Sequence, residues 1–137
     1  MANVEILRKR INKLEEYLRI LSRLCRYSYE EFVEEPERYG AAERFLQLAI
    51  ETINDVGNHA VADLELGEVS WQSDVPRLLA EHGYLSEELE KRWIKMIGFR
   101  NILVHEYLNV DHKLVYDIMK KSDSDFRDLI EVFARWI

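Results

Sequence analysis

The spacing of apolar residues predicts that this chain is built mainly from helices. Near the N-terminus, apolar residues recur in alternating steps of four and three, which places them on one stripe of a first helix with the charges on the other face. The stripe consists of Leu7, Ile11, Leu14, Leu18, Leu21 and Cys25. Ser28 stands three residues before Glu31, which is typical of a capping box, and predicts a short helical turn that stops before Pro36.

A second, longer helix is predicted over residues 36–66, and it is apolar on more than one face. One side carries Phe45, Leu48, Ala49 and Val56, and the apolar surface extends around the helix through Leu46, Ile50, Ile53 and Val61. A helix of this kind is buried against several partners or in an oligomer.

The remaining helices are predicted from their end signals. Ser73 or Asp74 can cap a short third helix through Leu79 that stops at Gly83, and Ser86 followed by Glu87 and Glu88 marks the start of a fourth. Asp111 predicts a helix through Lys121, and Ser122 or Ser124 predicts the start of a separate last helix.

An unexpected polar group lies within the second helix, at Asn54, Asp55, Asn58 and His59. Asn54 with Asn58, and Asp55 with His59, are four residues apart and can hydrogen-bond along the helix. The group is interpreted either as a satisfied polar seam or as the lining of a cleft.

Composition narrows the class of protein. A length of 137 residues suits a single domain, 1–137, and 47% hydrophobic residues with five Gly and two Pro favour an all-α globular protein. The single Cys25 cannot form an internal bridge, and no apolar run approaches the roughly 18 residues needed to cross a bilayer. We therefore expect a cytoplasmic protein that does not associate with membranes.

The net charge of −7 weighs against nucleic-acid binding, but the charges are unevenly distributed. Residues 91–105, KRWIKMIGFRNILVH, hold four basic residues and no acidic one. Alone this basic island is explained as a solvated helix face; beside the motif that ends it, it becomes a candidate phosphate track.

That motif is FRNILVHEY, residues 99–107, which gathers Arg100, Asn101, His105 and Tyr107. On a helix, Asn101 and His105 lie within about 40° of each other, whereas Arg100 and His105 are about 140° apart. Either the long arginine side chain reaches around the helix, or a two-fold axis brings two copies of the motif into one cleft, which the nearby Gly98 would permit. A helix end at His105 or Glu106 followed by extended chain would place His105 and Tyr107 on one side.

These residues resemble a known family. RNILVHEY matches the pattern of HEPN-domain proteins (higher eukaryotes and prokaryotes nucleotide-binding), in which Arg is followed after four to six residues by His, any residue and Tyr. ERFLQLAIETINDVGNHAVAD is similar to the second helix of HepT-type toxins. Arg-x4-His alone is common by chance, but the added Asn and Tyr at a helix end are much more specific, and the resemblance covers nearly the whole chain.

The resemblance implies an all-α, HEPN-type bundle of four to six helices that forms a homodimer. It also implies a metal-independent endoribonuclease toxin that needs no cofactor, acts on RNA and not DNA, and pairs with a minimal nucleotidyltransferase antitoxin. The implied catalytic residues are Arg100 and His105, supported by Asn101, and the antitoxin would attach AMP to Tyr107.

The residue types suit this chemistry. The reference pKa of His lies near 6.5, so His105 can act as base or acid. The guanidinium of Arg100 is always charged and has forked donors, which suits it to stabilise the negatively charged oxygens of a phosphorane. His59, His82 and His112 show no metal-ligand spacing with His105, and no Gly-rich phosphate loop or nucleophile elbow occurs. Two alternatives remain: a non-catalytic HEPN module that binds a nucleotide or a partner protein, and a purely structural helical dimer.

Overall fold

A computed structural model of the protein describes residues 4–137, and over this range it consists of helices without strands. The six α-helices are α1 (Val4–Leu24), α2 (Tyr29–Glu34), α3 (Pro36–Asp63), α4 (Asp74–Glu81), α5 (Glu87–His105) and α6 (His112–Ala134), with a 3₁₀ turn at Tyr107–Asn109. The predicted all-α class is therefore confirmed. None of the helices within 4–137 has the length and apolar character that a membrane span requires.

The long helix α3 forms the centre of the bundle and contacts α1, α2, α4, α5 and α6. Its apolar residues point in several directions because each direction has a helix to pack against, and Leu46, Ala49, Ile50 and Ile53 are almost fully buried. The predicted broad apolar surface of this helix is thus confirmed, and neighbours within the same chain account for it. The breadth of α3 consequently gives no separate reason to expect an oligomer.

Most predicted helix starts are confirmed by capping hydrogen bonds. The backbone N–H of Ser28 donates to the Glu31 carboxylate at 2.9 Å, and Ser28 Oγ accepts from the Glu31 N–H at 3.2 Å. Ser86 Oγ accepts from the Leu89 N–H at 3.1 Å, and the Asp111 carboxylate accepts from the first turn of α6. Gly83, at a φ of 80°, follows α4 and provides the left-handed residue that ends it.

The predicted break at Ser122 or Ser124 is wrong, because α6 runs without interruption from His112 to Ala134. Its buried positions continue through the predicted break in steps of four and three, with Ser122 in line: Val115, Met119, Ser122, Phe126, Leu129 and Phe133. Ser122 is only 5% exposed and occupies a core position rather than a cap. The continuous apolar stripe therefore outweighs the preference of serine for helix ends.

The segment after α5 also differs from the sequence prediction. The helix ends at His105 with Glu106 as its C-cap, as predicted, but Tyr107–Asn109 forms a 3₁₀ turn instead of extended chain. The N–H of Asn109 donates to the Glu106 carbonyl at 3.0 Å, which keeps the turn tight. Tyr107 is therefore displayed on a compact turn between α5 and α6.

Candidate functional site

Close packing of α5 against α3 sets the position of the motif. The two helices run antiparallel, because Trp93 near the start of α5 meets Asn54 and Gly57, whereas Arg100 further along meets Glu51. A Cβ at Gly57 would lie 2.5 Å from a Val75 methyl carbon and 2.6 Å from the Trp93 indole. Only glycine allows this approach, so Gly57 determines how near α5, and the motif on it, comes to α3.

Arg100 is held against α3 by a carboxylate. Its Nη2 donates to Glu51 Oε1 at 3.3 Å, and the other oxygen of Glu51 accepts from Gln47 Nε2 at 3.2 Å. A longer hydrogen bond of 3.4 Å runs from Arg100 Nη1 to the side-chain oxygen of Asn101. The Arg100 side chain is 26% exposed, so the guanidinium is oriented by the protein and still reachable from solvent.

His105 lies on a different face of α5 from Arg100. It is the last residue of the helix and is exposed, as is Asn101 one turn earlier, whereas Arg100 turns towards α3. Arg100 and His105 make no hydrogen bond to each other within residues 4–137, in agreement with the helical angle of about 140° between them. The helix therefore points the two residues in different directions, although the Arg100 guanidinium reaches Asn101, one turn before His105.

Tyr107 is 69% exposed, and its neighbour Leu108 is 80% exposed. Before them, the Glu106 N–H donates to the Ile102 carbonyl at the end of α5. After them, Asp111 caps α6, and the ring of His112 stacks on Tyr39 of α3 with 4.0 Å between ring centroids. Glu43 lies beside this stack, and burial raises the pKa of its carboxyl group, an effect that the nearby His112 partly offsets. The phenol is thus presented to solvent from a fixed support.

The polar group predicted within α3 divides into separate interactions. Asn54 is buried and its side-chain oxygen accepts from Trp93 Nε1 at 2.8 Å, while Asp55 forms an ion pair with Arg10 of α1. Among residues 4–137, neither the Asn54–Asn58 nor the Asp55–His59 hydrogen bond suggested by the four-residue spacing is formed. Asn54 is a satisfied core residue, but its partner is Trp93 of α5 rather than Asn58 of its own helix.

The other members of this group face a surface pocket. Asp55, Asn58 and His59 line an open pocket of about 420 Å³ together with residues of the loop after α3. Arg100 and His105 are not among the residues that line this pocket. The structure therefore does not join Asn58 and His59 to the motif.

The basic island of α5 is partly neutralised. Arg92 Nη1 donates to Asp125 at 2.7 Å and to Asp128 at 3.0 Å, and these hydrogen bonds raise the pKa of the guanidinium. With Arg100 paired to Glu51, only Lys91 and Lys95 of the four basic residues remain exposed without a carboxylate partner in the described chain. The candidate phosphate track is thus weaker than the sequence indicated.

Glu51 was not singled out from the sequence, although it is the partner of Arg100. A signal was present in the spacing of Gln47, Glu51, Asp55 and Asn58, which lie on one narrow polar stripe of a helix that is otherwise apolar. Such a stripe indicates that this face of α3 is not covered by the core. It does not indicate which helix will bring an arginine to it.

The bundle has the fold of HEPN toxins. It superimposes with a TM-score of 0.88 on the tri-AMPylated HEPN toxin of Shewanella oneidensis, solved in complex with its MNT antitoxin, at 23% identity over 97% of this chain and 99% of that one. YutE, a cytosolic protein of unknown function from Bacillus subtilis, matches with a TM-score of 0.85 at 19% identity, covering 98% of this chain and 90% of YutE. The predicted HEPN-type architecture is therefore confirmed.

The chain belongs to the Ribonuclease HepT-like family, whose model matches residues 14–133. It is 31% identical to the mRNA nuclease HepT of Shewanella oneidensis over 87 residues, which cover 64% of this chain and 65% of that relative. It is 29% identical to the tRNA nuclease HepT of Aphanizomenon flos-aquae over 118 residues, which cover 85% of this chain and 80% of that relative.

Proposed function

We propose that this protein is a metal-independent endoribonuclease toxin that uses Arg100 and His105. The observation that carries the proposal is the motif itself: an arginine oriented by Glu51 and a solvent-facing histidine at the end of the same helix, in a chain of the HepT-like family. Relatives of this chain are named as mRNA and tRNA nucleases, which supports RNA as the substrate class.

The reaction requires three groups. A base removes the proton from a ribose 2′-OH, the oxygen attacks the adjacent phosphorus, and the bond to the 5′-oxygen breaks as an acid protonates that oxygen, leaving a 2′,3′-cyclic phosphate. His105 serves as base or acid because a ring nitrogen of imidazole can either accept or donate a proton. Arg100 stabilises the negative charge that develops on the phosphorane oxygens, and Asn101 helps to orient its guanidinium.

A homodimer would bring the general base and the general acid into one cleft. The exposed face of α5 carries Ile94, Gly98, Asn101 and His105 in steps of four, three and four, which is the spacing of a helix-packing stripe. Ile94 is 37% exposed, and a Cβ at Gly98 would meet nothing within 4 Å, so a second helix has room to approach. Two α5 helices packed here would place two histidines near a common RNA phosphate, one as base and one as acid. Light scattering that finds a monomer at micromolar concentration would contradict the dimer.

RNA cleavage in EDTA tests the nuclease. Purified protein should cut total RNA and leave 2′,3′-cyclic phosphate ends, and His105→Ala should lower the rate by about 10²–10⁴-fold. Arg100→Ala should reduce the rate comparably, because charge stabilisation in the transition state is lost. His82→Ala, which removes an exposed histidine on α4's C-cap, is the matched control and should be fully active. Full activity of folded His105→Ala would refute the mechanism, and RNA binding without cleavage would favour a non-catalytic HEPN module.

We further propose that a minimal nucleotidyltransferase antitoxin silences the toxin by modifying Tyr107. The phenol oxygen attacks the α-phosphorus of ATP, the bond to the β-phosphate breaks, pyrophosphate leaves and the phenol proton passes to solvent. The 69% exposure of Tyr107, on a turn with anchored ends, allows another enzyme's active site to reach it. Each AMP adds bulk and negative charge two residues from His105, which opposes the binding of an RNA phosphate.

Intact-mass spectrometry of the co-expressed pair tests this regulation. The toxin should gain one or more AMP masses and lose activity, and Tyr107→Phe should gain none. Tyr84→Phe, at a position that is 38% exposed, controls for the loss of a surface phenol and should be modified normally. An inhibited toxin without added mass would mean that the antitoxin acts by binding alone.

A further inference from the structure

We propose that two adjoining grooves on the outer face of α1 bind the phosphate backbone of RNA, as a second contact surface outside the motif. One groove, of about 520 Å³, is lined by Glu16, Arg19, Ile20, Ser22, Arg23, Arg26 and Arg127 of α6. The other, of about 580 Å³, is lined by Lys9, Arg10, Asn12, Lys13, Glu16 and Arg19. Glu16 and Arg19 belong to both, so the two form a continuous surface, the α1 basic grooves.

The spacing of the cations makes the surface linear. Within α1, the cations Lys9, Arg19 and Arg23 share one stripe with Asn12 and Glu16, in steps of three and four, opposite the buried stripe through Leu14 and Leu18. From Lys9 to Arg23 the helix rises about 21 Å, and Arg26 follows in the turn beyond its end at Leu24. A row of guanidinium and ammonium groups over this length suits an extended chain of phosphates better than a single small anion.

The charge of the grooves is unusual for this protein. They contain seven of the 19 lysines and arginines but only one of the 26 acidic residues, in a chain with a net charge of −7. The rest of the chain therefore carries 12 lysines and arginines against 25 acidic residues, and its net charge opposes RNA binding. An RNA that reaches the motif needs a basic contact elsewhere, and the grooves provide one.

Most of these cations are not neutralised by the protein. Lys13 lies 3.2 Å from Glu16, Arg127 lies 3.7 Å from Asp123, and Arg10 is paired with Asp55. Within the described chain, Lys9 and the three arginines at positions 19, 23 and 26 have no carboxylate at ion-pair distance. By contrast, Arg92 and Arg100 of α5 are engaged by carboxylates.

The chemistry favours phosphate over an acidic polypeptide. Arginine presents a planar fork of donors that matches two phosphate oxygens, and arginines outnumber lysines in the grooves by five to two. The grooves also adjoin the motif side of the bundle, because Arg10 reaches Asp55 on the same polar stripe of α3 that carries Glu51. A backbone lying along α1 can therefore continue across α3 towards Arg100.

Binding of an uncleavable RNA tests the inference separately from catalysis, although RNA as the partner class rests on the proposed function. The probe is a fluorescent, single-stranded 2′-O-methyl RNA of about 20 nucleotides, which lacks the attacking hydroxyl, and fluorescence anisotropy is followed over a range of salt. The double variant Arg23→Gln/Arg26→Gln should bind about tenfold more weakly at 0.1 M salt. The slope of log K against log salt should shrink by about 1.4, since each phosphate contact on a single strand contributes about 0.7.

Two further variants control for charge and folding. Lys121→Gln/Arg135→Gln removes the same charge from exposed positions of α6 and beyond its end, and it should bind the probe within about twofold of the original chain. Arg23→Lys/Arg26→Lys retains the charge and should retain most of the salt slope. Circular dichroism confirms that each variant keeps its helices.

The inference is overturned by unchanged RNA binding in Arg23→Gln/Arg26→Gln, or by an equal loss in the α6 control, which would reflect net charge alone. It is also overturned if polyglutamate competes as well as RNA of equal charge, because the grooves would then serve an acidic protein. If the chain binds the probe through these arginines but cuts no RNA, the proposed nuclease function is refuted and the α1 basic grooves remain an RNA-binding surface. If the chain cuts RNA but its RNA binding does not depend on these arginines, the nuclease function is supported and the inference about the grooves is refuted.

Discussion

Replacing Gly57 with alanine tests whether the contact between α3 and α5 depends on a missing side chain. The added Cβ would lie 2.5 Å from Val75 Cγ1 and 2.6 and 2.8 Å from two carbons of the Trp93 ring. Normal contacts between carbon atoms are about 3.5–4.0 Å, so each overlap is about 1 Å. Neither neighbour can move easily, because a β-branched valine has restricted rotamers and the Trp93 indole is fixed by its hydrogen bond to Asn54.

The expected change in stability is the difference between two opposing effects. Overpacking of a core costs about 1–3 kcal/mol, whereas alanine in a helix interior is favoured over glycine by about 0.5–1 kcal/mol. With three overlaps against rigid neighbours the steric cost should dominate, so the free energy of unfolding should fall by about 1–2 kcal/mol. For a domain of this size, the melting temperature should fall by about 3–8 °C.

Urea denaturation followed by circular dichroism, at one fixed protein concentration, measures this change. Gly40→Ala is the matched control, because it lies in the same helix and its Cβ would meet nothing within 4 Å. This control should gain about 0.5–1 kcal/mol. Equal stabilisation of Gly57→Ala and Gly40→Ala would refute the close-packing argument. If Gly57→Ala is less stable as expected, the proposed nuclease activity should fall too, since displacement of α5 would move Arg100 away from Glu51.

Two other substitutions give further tests by urea denaturation. Asn54→Leu should lower the free energy of unfolding by about 1–3 kcal/mol because it leaves the buried Trp93 N–H without an acceptor, whereas Asn58→Leu should change it by no more than about 0.5 kcal/mol. Asp74 should contribute to acid sensitivity: N–H groups of Trp71 and Ser70 bind its carboxylate and lower its pKa below the ordinary value. Its stabilisation is complete above the unfolded pKa of about 3.9 and is lost as the pH falls through the lower folded pKa, so Asp74→Asn should flatten the stability profile below about pH 4.

Local signals were sufficient to predict most of the helices. The alternation of apolar residues in α1 and the caps at Ser28, Ser86 and Asp111 each depend on residues within one or two turns, and the structure confirms them. The error at Ser122 arose from the same kind of reasoning. Serine favours helix ends in isolation, but here packing decides, because the stripe on either side of Ser122 remains in register with the core.

The contacts of the candidate site were less predictable, because they join residues far apart in the chain. The spacing of Arg100 and His105 correctly indicated that they face different directions, since that depends on helix geometry alone. The pairing of Arg100 with Glu51 requires α3 and α5 to lie antiparallel at one particular separation, which the close approach of Gly57 to Trp93 sets further along the same contact. The neutralisation of Arg92 by Asp125 and Asp128 likewise depends on how α6 packs against α5.

The resting position of Arg100 bears on how the proposed reaction begins. Its guanidinium already interacts with the Glu51 carboxylate at 3.3 Å, so an incoming phosphate must either share the donors or displace that contact. The guanidinium has five N–H donors, so it can bind a phosphate and keep its contact with Glu51. Glu51 accepts one hydrogen bond from Nη2, and Asn101 accepts one from Nη1. The other three N–H donors make no hydrogen bond within the described residues and are available to phosphate oxygens. Because Nη1 also reaches Asn101, which shares the exposed face of α5 with His105, a phosphate bound to Arg100 at the edge of that face would meet the histidines that the proposed dimer gathers there, and this links the proposed chemistry to the proposed dimer.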